Sequence, residues 1–183
     1  VLFAYIDAKD GTPGATDNAT GVIVLLFLAE LLADYAGNLG IEIVALNGED
    51  YYSALGEKQW LEMNQGKFNE IVFGINLDGV GYHHGKTGYS LYDCPADIAN
   101  SIHKIFSNHK EMIKGKPWYQ GDHGLYLMHQ RAALAITSEQ FSYLLREIAH
   151  TPKDNPDIVD TTKLVNVAVA LRNLLLHLDQ LLD

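Results

Sequence analysis

The chain has 183 residues, 48% of them apolar and 20% charged, an ordinary globular mixture that argues against disorder or low complexity. Its Lys and Arg total 13 against 23 Asp and Glu, and the formal charge of −10 argues against a nucleic-acid partner and against electrostatic docking on anionic membranes. The single cysteine, Cys94, excludes an internal disulfide framework and a four-cysteine zinc site, and the longest apolar run, Val22 to Ala29, falls well short of the roughly 20 residues of a membrane span.

Short apolar runs alternate with longer periodic ones. Val1 to Ile6 reads as a buried strand, followed by a turn-forming loop, Asp10-Gly11-Thr12-Pro13-Gly14. Asn18 to Ala36 reads as a helix, with Asp17 or Asn18 as its cap and Gly37 as its stop. Ile41 to Leu46 is a second strand, Glu57 to Asn64 a short helix, and Glu70 to Asn76 a third strand. Tyr89 to Tyr92 is a further short strand, and Pro95 opens a helix running to about His109. Ala132 to Ile136 is another short apolar run. Leu164 to Leu182 carries the clearest helical stripe, through Leu164, Val167, Leu171, Leu175, Leu178 and Leu182. This alternation, with no repeat and no linker, predicts one α/β domain over residues 1–183 with a largely parallel sheet.

In such sheets, sites lie beyond the carboxyl ends of the strands. Acidic residues gather there: Asp7 and Asp17 after the first strand, the pair Glu49-Asp50 after the second, and Asp78 after the third. Unpaired carboxylates so placed repel one another, and a divalent cation relieves that repulsion. With His150 added, carboxylate and imidazole donors suit zinc, manganese or cobalt better than calcium. In the pair Glu49-Asp50, one residue can bind metal while the other serves a bound water as general base, the logic of metal-assisted amide hydrolysis.

These residues lie in the segments Gly14-Ala15-Thr16-Asp17-Asn18-Ala19-Thr20-Gly21, Asn47-Gly48-Glu49-Asp50, Asn76-Leu77-Asp78-Gly79-Val80-Gly81, Gly121-Asp122-His123 and His150-Thr151-Pro152-Lys153-Asp154. In that order they resemble the co-catalytic zinc aminopeptidases, a group that also holds glutaminyl cyclases and glutamate carboxypeptidase-like enzymes. The resemblance spans nearly the whole chain. It implies a three-layer αβα sandwich with a mixed, largely parallel central sheet, one or two zinc ions, and a peptide substrate with a free N-terminus. It also favours a secreted or periplasmic protein. By the same resemblance Asp17 matches the bridging metal ligand, Glu49 the general base, and Asp50 and His150 the ligands of one metal. Asp78 matches a ligand of the other, and Asp7 a carboxylate that orients the residue two positions earlier. Asp122 and His123 match a segment lining the substrate pocket.

The chain departs from the family pattern in two places. Tyr5 stands where the family has a His ligand to the Asp78 metal, so that metal is expected to be weak or absent and activity impaired; the neutral phenol is a poor ligand. The chain also opens on the first metal-site strand, where the family carries a preceding segment. An uncovered edge is expected to favour self-association. Two alternatives therefore stay open beside the peptide hydrolase: a catalytically silent binding or structural module, and a single-zinc enzyme resembling glutaminyl cyclases. Elsewhere, His83 and His84 read as solvent-loop residues, and Tyr82, Trp118, Tyr119, Phe141 and Tyr143 as candidates for an apolar specificity wall.

Overall fold

The computed structural model describes residues 1–51 and 54–182. Six strands form one sheet: β1 (Leu2–Tyr5), β2 (Ile43–Leu46), β3 (Gly74–Leu77), β4 (Thr87–Tyr92), β5 (Met112–Lys114) and β6 (Ala133–Ser138). Their spatial order is β2-β1-β3-β6-β4-β5. All neighbours run parallel except β4, which lies antiparallel to β6. The helices are α1 (Thr20–Leu31), α2 (Leu55–Met63), α3 (Ala96–Phe106), α4 (His123–Met128), α5 (Phe141–Glu147) and α6 (Thr161–Leu181). No helix among the described residues is long and apolar enough to cross a membrane.

Strand alternation sorts the core into two layers. Leu2, Ala4, Ile75, Leu77, Leu134 and Ile136 point to the face covered by α1, α3 and α6. Phe3, Tyr5, Ala133 and Ala135 point to the other face, under Trp60 of α2 and Tyr126 of α4. Phe3 stacks on Tyr126 with ring centroids 4.8 Å apart, and Trp60 meets Phe3 edge-on at 4.7 Å. The Tyr126 ring lies so close to β3 that a Cβ on Gly74 would come within 2.3 Å of it, which is why glycine occupies that strand position.

Several boundaries differ from the sequence expectation. The first helix begins two residues later than Asn18 and stops at Leu31, well before Gly37, because the chain turns over Leu32 to Asp34. The Asn18 amide still acts at its start: Oδ1 accepts from Gly21 N at 3.2 Å, and Nδ2 donates to Leu77 O at 2.7 Å. The third strand is shorter than Glu70 to Asn76 because Phe68–Glu70 forms a helical turn and pairing starts at Gly74. The elements β5, α4 and α5 have no counterpart in the sequence reading. Each is only three to seven residues long, too short to establish a period.

Candidate metal centre

Four chain segments converge beyond the carboxyl ends of β1, β2 and β3. The first is the turn Ala15–Ala19, entered through Gly14 at φ 63°, where a Cβ would lie 2.5 Å from that of Ala8. The fully buried Asp154 carboxylate pins this turn. Its Oδ1 accepts from Thr16 N and Thr16 Oγ1, both at 2.7 Å, and its Oδ2 accepts from Asp17 N at 3.0 Å. Asp17 is thereby aimed by a residue 137 positions away. The second segment, after β2, is held by Asp7, whose carboxylate accepts from Gly48 N at 2.8 Å and Asp50 N at 3.1 Å. The third is Asp78, whose N–H continues the β3–β6 ladder to Ile136 O. The fourth is His150, just past α5, in the left-handed region at φ 59°.

His150 Nε2 lies 2.8 Å from Asp50 Oδ1 and 3.2 Å from Asp17 Oδ2. One ligand atom each from Asp17, Asp50 and His150 falls within 4.8 Å of the others, the one such cluster among the described residues. The other Asp50 oxygen, Oδ2, is buried with no hydrogen-bond partner among the described residues. Two carboxylates and an imidazole, with a buried oxygen left unsatisfied, fit a borderline divalent cation such as zinc; three protein ligands with an open position form a catalytic type of site. Tyr5 and Asp78 fit a second cation less well, because the Tyr5 hydroxyl donates to Asp17 Oδ1 and lies 3.3 Å from Asp78 Oδ1.

The electrostatics follow from crowding acids in a half-closed space. Burial, reinforced by Asp50 and Asp17, pushes the Glu49 carboxyl up to about 7. Burial also raises Asp17 and Asp50, and carries Asp78 well above the usual carboxylate range with help from Asp17 and Glu49. The Tyr5 phenol is held well above its ordinary value by burial and then by the charges of Asp78 and Asp17.

A cavity of about 260 Å³ joins these groups. Tyr5, Asp17, Glu49, Asp50, Asp78 and His150 form its acidic side, and Phe141, Leu144, Leu145 and Ala149 its apolar side. A larger cavity of about 340 Å³ lies at the opposite ends of the strands, beside Val1, Ile41 and Phe73, with Glu42, Lys67 and Glu70 in its lining but no histidine.

The sequence-derived residues divide accordingly. Asp17, Glu49, Asp50, Asp78, His150 and Tyr5 come together on one wall. Asp7 does not reach the residue two positions earlier; it holds the backbone of the Glu49-Asp50 turn. Asp122 and His123 do not line the cavity. Both are buried, with His123 Nε2 2.8 Å from Trp118 O and Nδ1 3.5 Å from Asn76 Nδ2. Of the five aromatics considered for a specificity wall, Phe141 alone lines the cavity. Trp118 lies buried against Phe141, and Tyr119 is exposed. Sequence reasoning gave no role to Asp154, Gln120, Leu144 or Leu145. For Asp154 a signal existed, its place four residues after His150 in the same segment.

The sequence pattern of peptidase family M28 matches residues 1–175. The chain belongs to peptidase family M28. Solved structures similar to this M28 chain include an aminopeptidase from Aneurinibacillus sp. strain AM-1, at 20% identity and TM-score 0.78 over 95% of this chain and 42% of that one. The zinc aminopeptidase of Bacillus subtilis superposes at 17% identity and TM-score 0.79, over 95% and 44% of the two chains. A glutaminyl cyclase from Tannerella forsythia is similar at 21% identity and TM-score 0.76, over 94% and 71%. The M28 chain thus spans less than half the length of either aminopeptidase. No curated protein sequence matches it. The three-layer αβα arrangement expected from the sequence is the one observed.

Proposed function

We propose that this chain forms the hydrolytic unit of a metal-dependent peptide hydrolase of the aminopeptidase type, with zinc on Asp17, Asp50 and His150 and Glu49 as general base. The observation that carries this reading is the triplet of ligand atoms within 4.8 Å of one another, in the same cavity as Glu49. A zinc ion held there would supply Lewis acidity, which polarises a carbonyl and lowers the pKa of a water to about 7. Glu49 accepts the water proton and passes it to the departing amine. Asp154 holds Asp17 in aim, and Asp7 holds the turn that carries Glu49 and Asp50. The acidic wall suits the positive N-terminus of a peptide, and Phe141, Leu144 and Leu145 suit an apolar side chain beside it.

Glu49→Gln keeps the shape and removes the base. Peptide hydrolysis by the zinc-loaded chain is expected to fall by about 10²–10⁴-fold, with zinc content unchanged. Undiminished hydrolysis in that variant would sink the assignment. The single three-ligand cluster and the similarity to a glutaminyl cyclase support a second reading, cyclisation of an N-terminal glutamine. Ammonia release from a glutamine-started peptide, without cleavage of the following bond, distinguishes it.

A further inference from the structure

Tyr5 ends β1 with its ring in the aromatic layer, 3% exposed and packed with Phe3, Leu46 and Trp60, so strand and core together fix where its hydroxyl falls. That hydroxyl lies between two carboxylates. It donates to Asp17 Oδ1 and stands 3.3 Å from Asp78 Oδ1. Among the described residues, no other hydrogen bond reaches the Asp78 carboxyl. Asp17 therefore divides its two oxygens: Oδ2 faces His150 Nε2 at 3.2 Å, and Oδ1 is taken by the phenol. A carboxylate that bridges two cations needs a free lone pair on each oxygen aimed at its own ion. Here the phenolic hydrogen occupies the side of Asp17 that faces Asp78.

We propose that this site takes a single divalent cation, and that the Tyr5 hydroxyl fills the place of a second, standing between Asp17 and Asp78 with its one proton given to Asp17. Asp78 is then a partner of Tyr5 and not a metal ligand, although it lines the same wall. The inference rests on the reading of Asp17, Asp50 and His150 as the cation site.

Zinc content per chain, measured after equilibration with excess zinc and gel filtration, tests it. The wild-type chain is expected to retain about one ion, and Asp78→Asn the same, since a carboxyl that binds no metal can be lost without losing metal. Tyr5→His exchanges the donor for an imidazole ligand and is expected to raise the content to about two, and adding Asp78→Asn to it returns the content to about one. Two ions on the wild-type chain, a lower content in Asp78→Asn, or no gain in a folded Tyr5→His overturns the inference. The wild-type and Asp78→Asn results decide it even where Tyr5→His fails to fold. Zinc retained in full by His150→Ala, or none on the wild-type chain, overturns the cation site itself and with it the proposed function.

Discussion

The two faces of the sheet are built from different chemistry. The face under α1, α3 and α6 is mainly aliphatic, filled chiefly by Leu, Ile, Val and Ala side chains with Phe73, Tyr89, Phe106 and Met112 among them. The face under α2 and α4 is aromatic, and buried polar groups stand among its rings: Glu57, Asn76, Asp122 and His123. Among the described residues, Glu57 Oε2, Asn76 Oδ1, Trp118 Nε1 and Asp122 Oδ2 have no hydrogen-bond partner. Tyr5 continues that face of β1 beyond Phe3, and Asp78 continues that face of β3 beyond Asn76. The aliphatic layer stabilises the domain, whereas the aromatic layer leads its strands into the acidic cavity. Polar groups buried without partners lower stability and persist where chemistry needs them.

The largest effect on stability is expected on the aliphatic face. Leu171 of α6 is fully buried, and Leu171→Ala is expected to lower unfolding free energy by about 2–5 kcal/mol in denaturant titration while leaving zinc content unchanged. A change in zinc content would break the division of labour between the faces. Asp154→Ala acts across it. It removes the acceptor of Thr16 N, Thr16 Oγ1 and Asp17 N, with an expected loss of about 1–3 kcal/mol and zinc affinity about 10–100-fold weaker. Unaltered zinc affinity would show that Asp17 needs no such support.

Taken per pH unit, the smallest effect is a slope. Burial, and then the neighbouring Glu57, pushes Asp122 up to about 9. Below about pH 4 both folded and unfolded chains hold that proton, so burying the group brings no charge penalty. As pH rises toward about 9 the unfolded chain has released the proton and the folded chain has not, so stability falls, by at most about 1.4 kcal/mol per pH unit. Asp122→Asn removes that dependence. Its stability is expected to fall less steeply between about pH 5 and pH 7, by about 1 kcal/mol per unit in parallel denaturant titrations. Identical slopes in the two proteins would mean that Asp122 is charged in the folded chain.

The aliphatic face was legible because its signals are local. The stripe from Leu164 to Leu182 predicts α6 within a few residues, since helical period and burial agree over 21 residues. The strands β1, β2 and β6 were legible as short apolar runs. The aromatic face was harder. The elements α4 and α5 are six and seven residues long, and Trp118, Tyr119 and Phe141 look alike in sequence although only the last lines the cavity. Asp122 and His123 look like site residues by their segment, but both are buried outside the cavity lining, His123 against Trp118 and Asn76.

Residue order was enough to bring Asp17, Glu49, Asp50 and Asp78 to one rim, because strand ends in a parallel sheet gather there whatever the details of packing, whereas His150, past α5, was proposed from the family resemblance. The same resemblance singled out Tyr5 as the position that departs from the family pattern. What order could not supply is the pairing of groups far apart in the chain. Asp154 reaches Asp17 across 137 residues, His150 reaches Asp50 across 100, and the Tyr5 hydroxyl meets Asp78 across 73. Such contacts are set by strand register and by the hydrogen-bonding needs of buried atoms, which exist only once the sheet has closed.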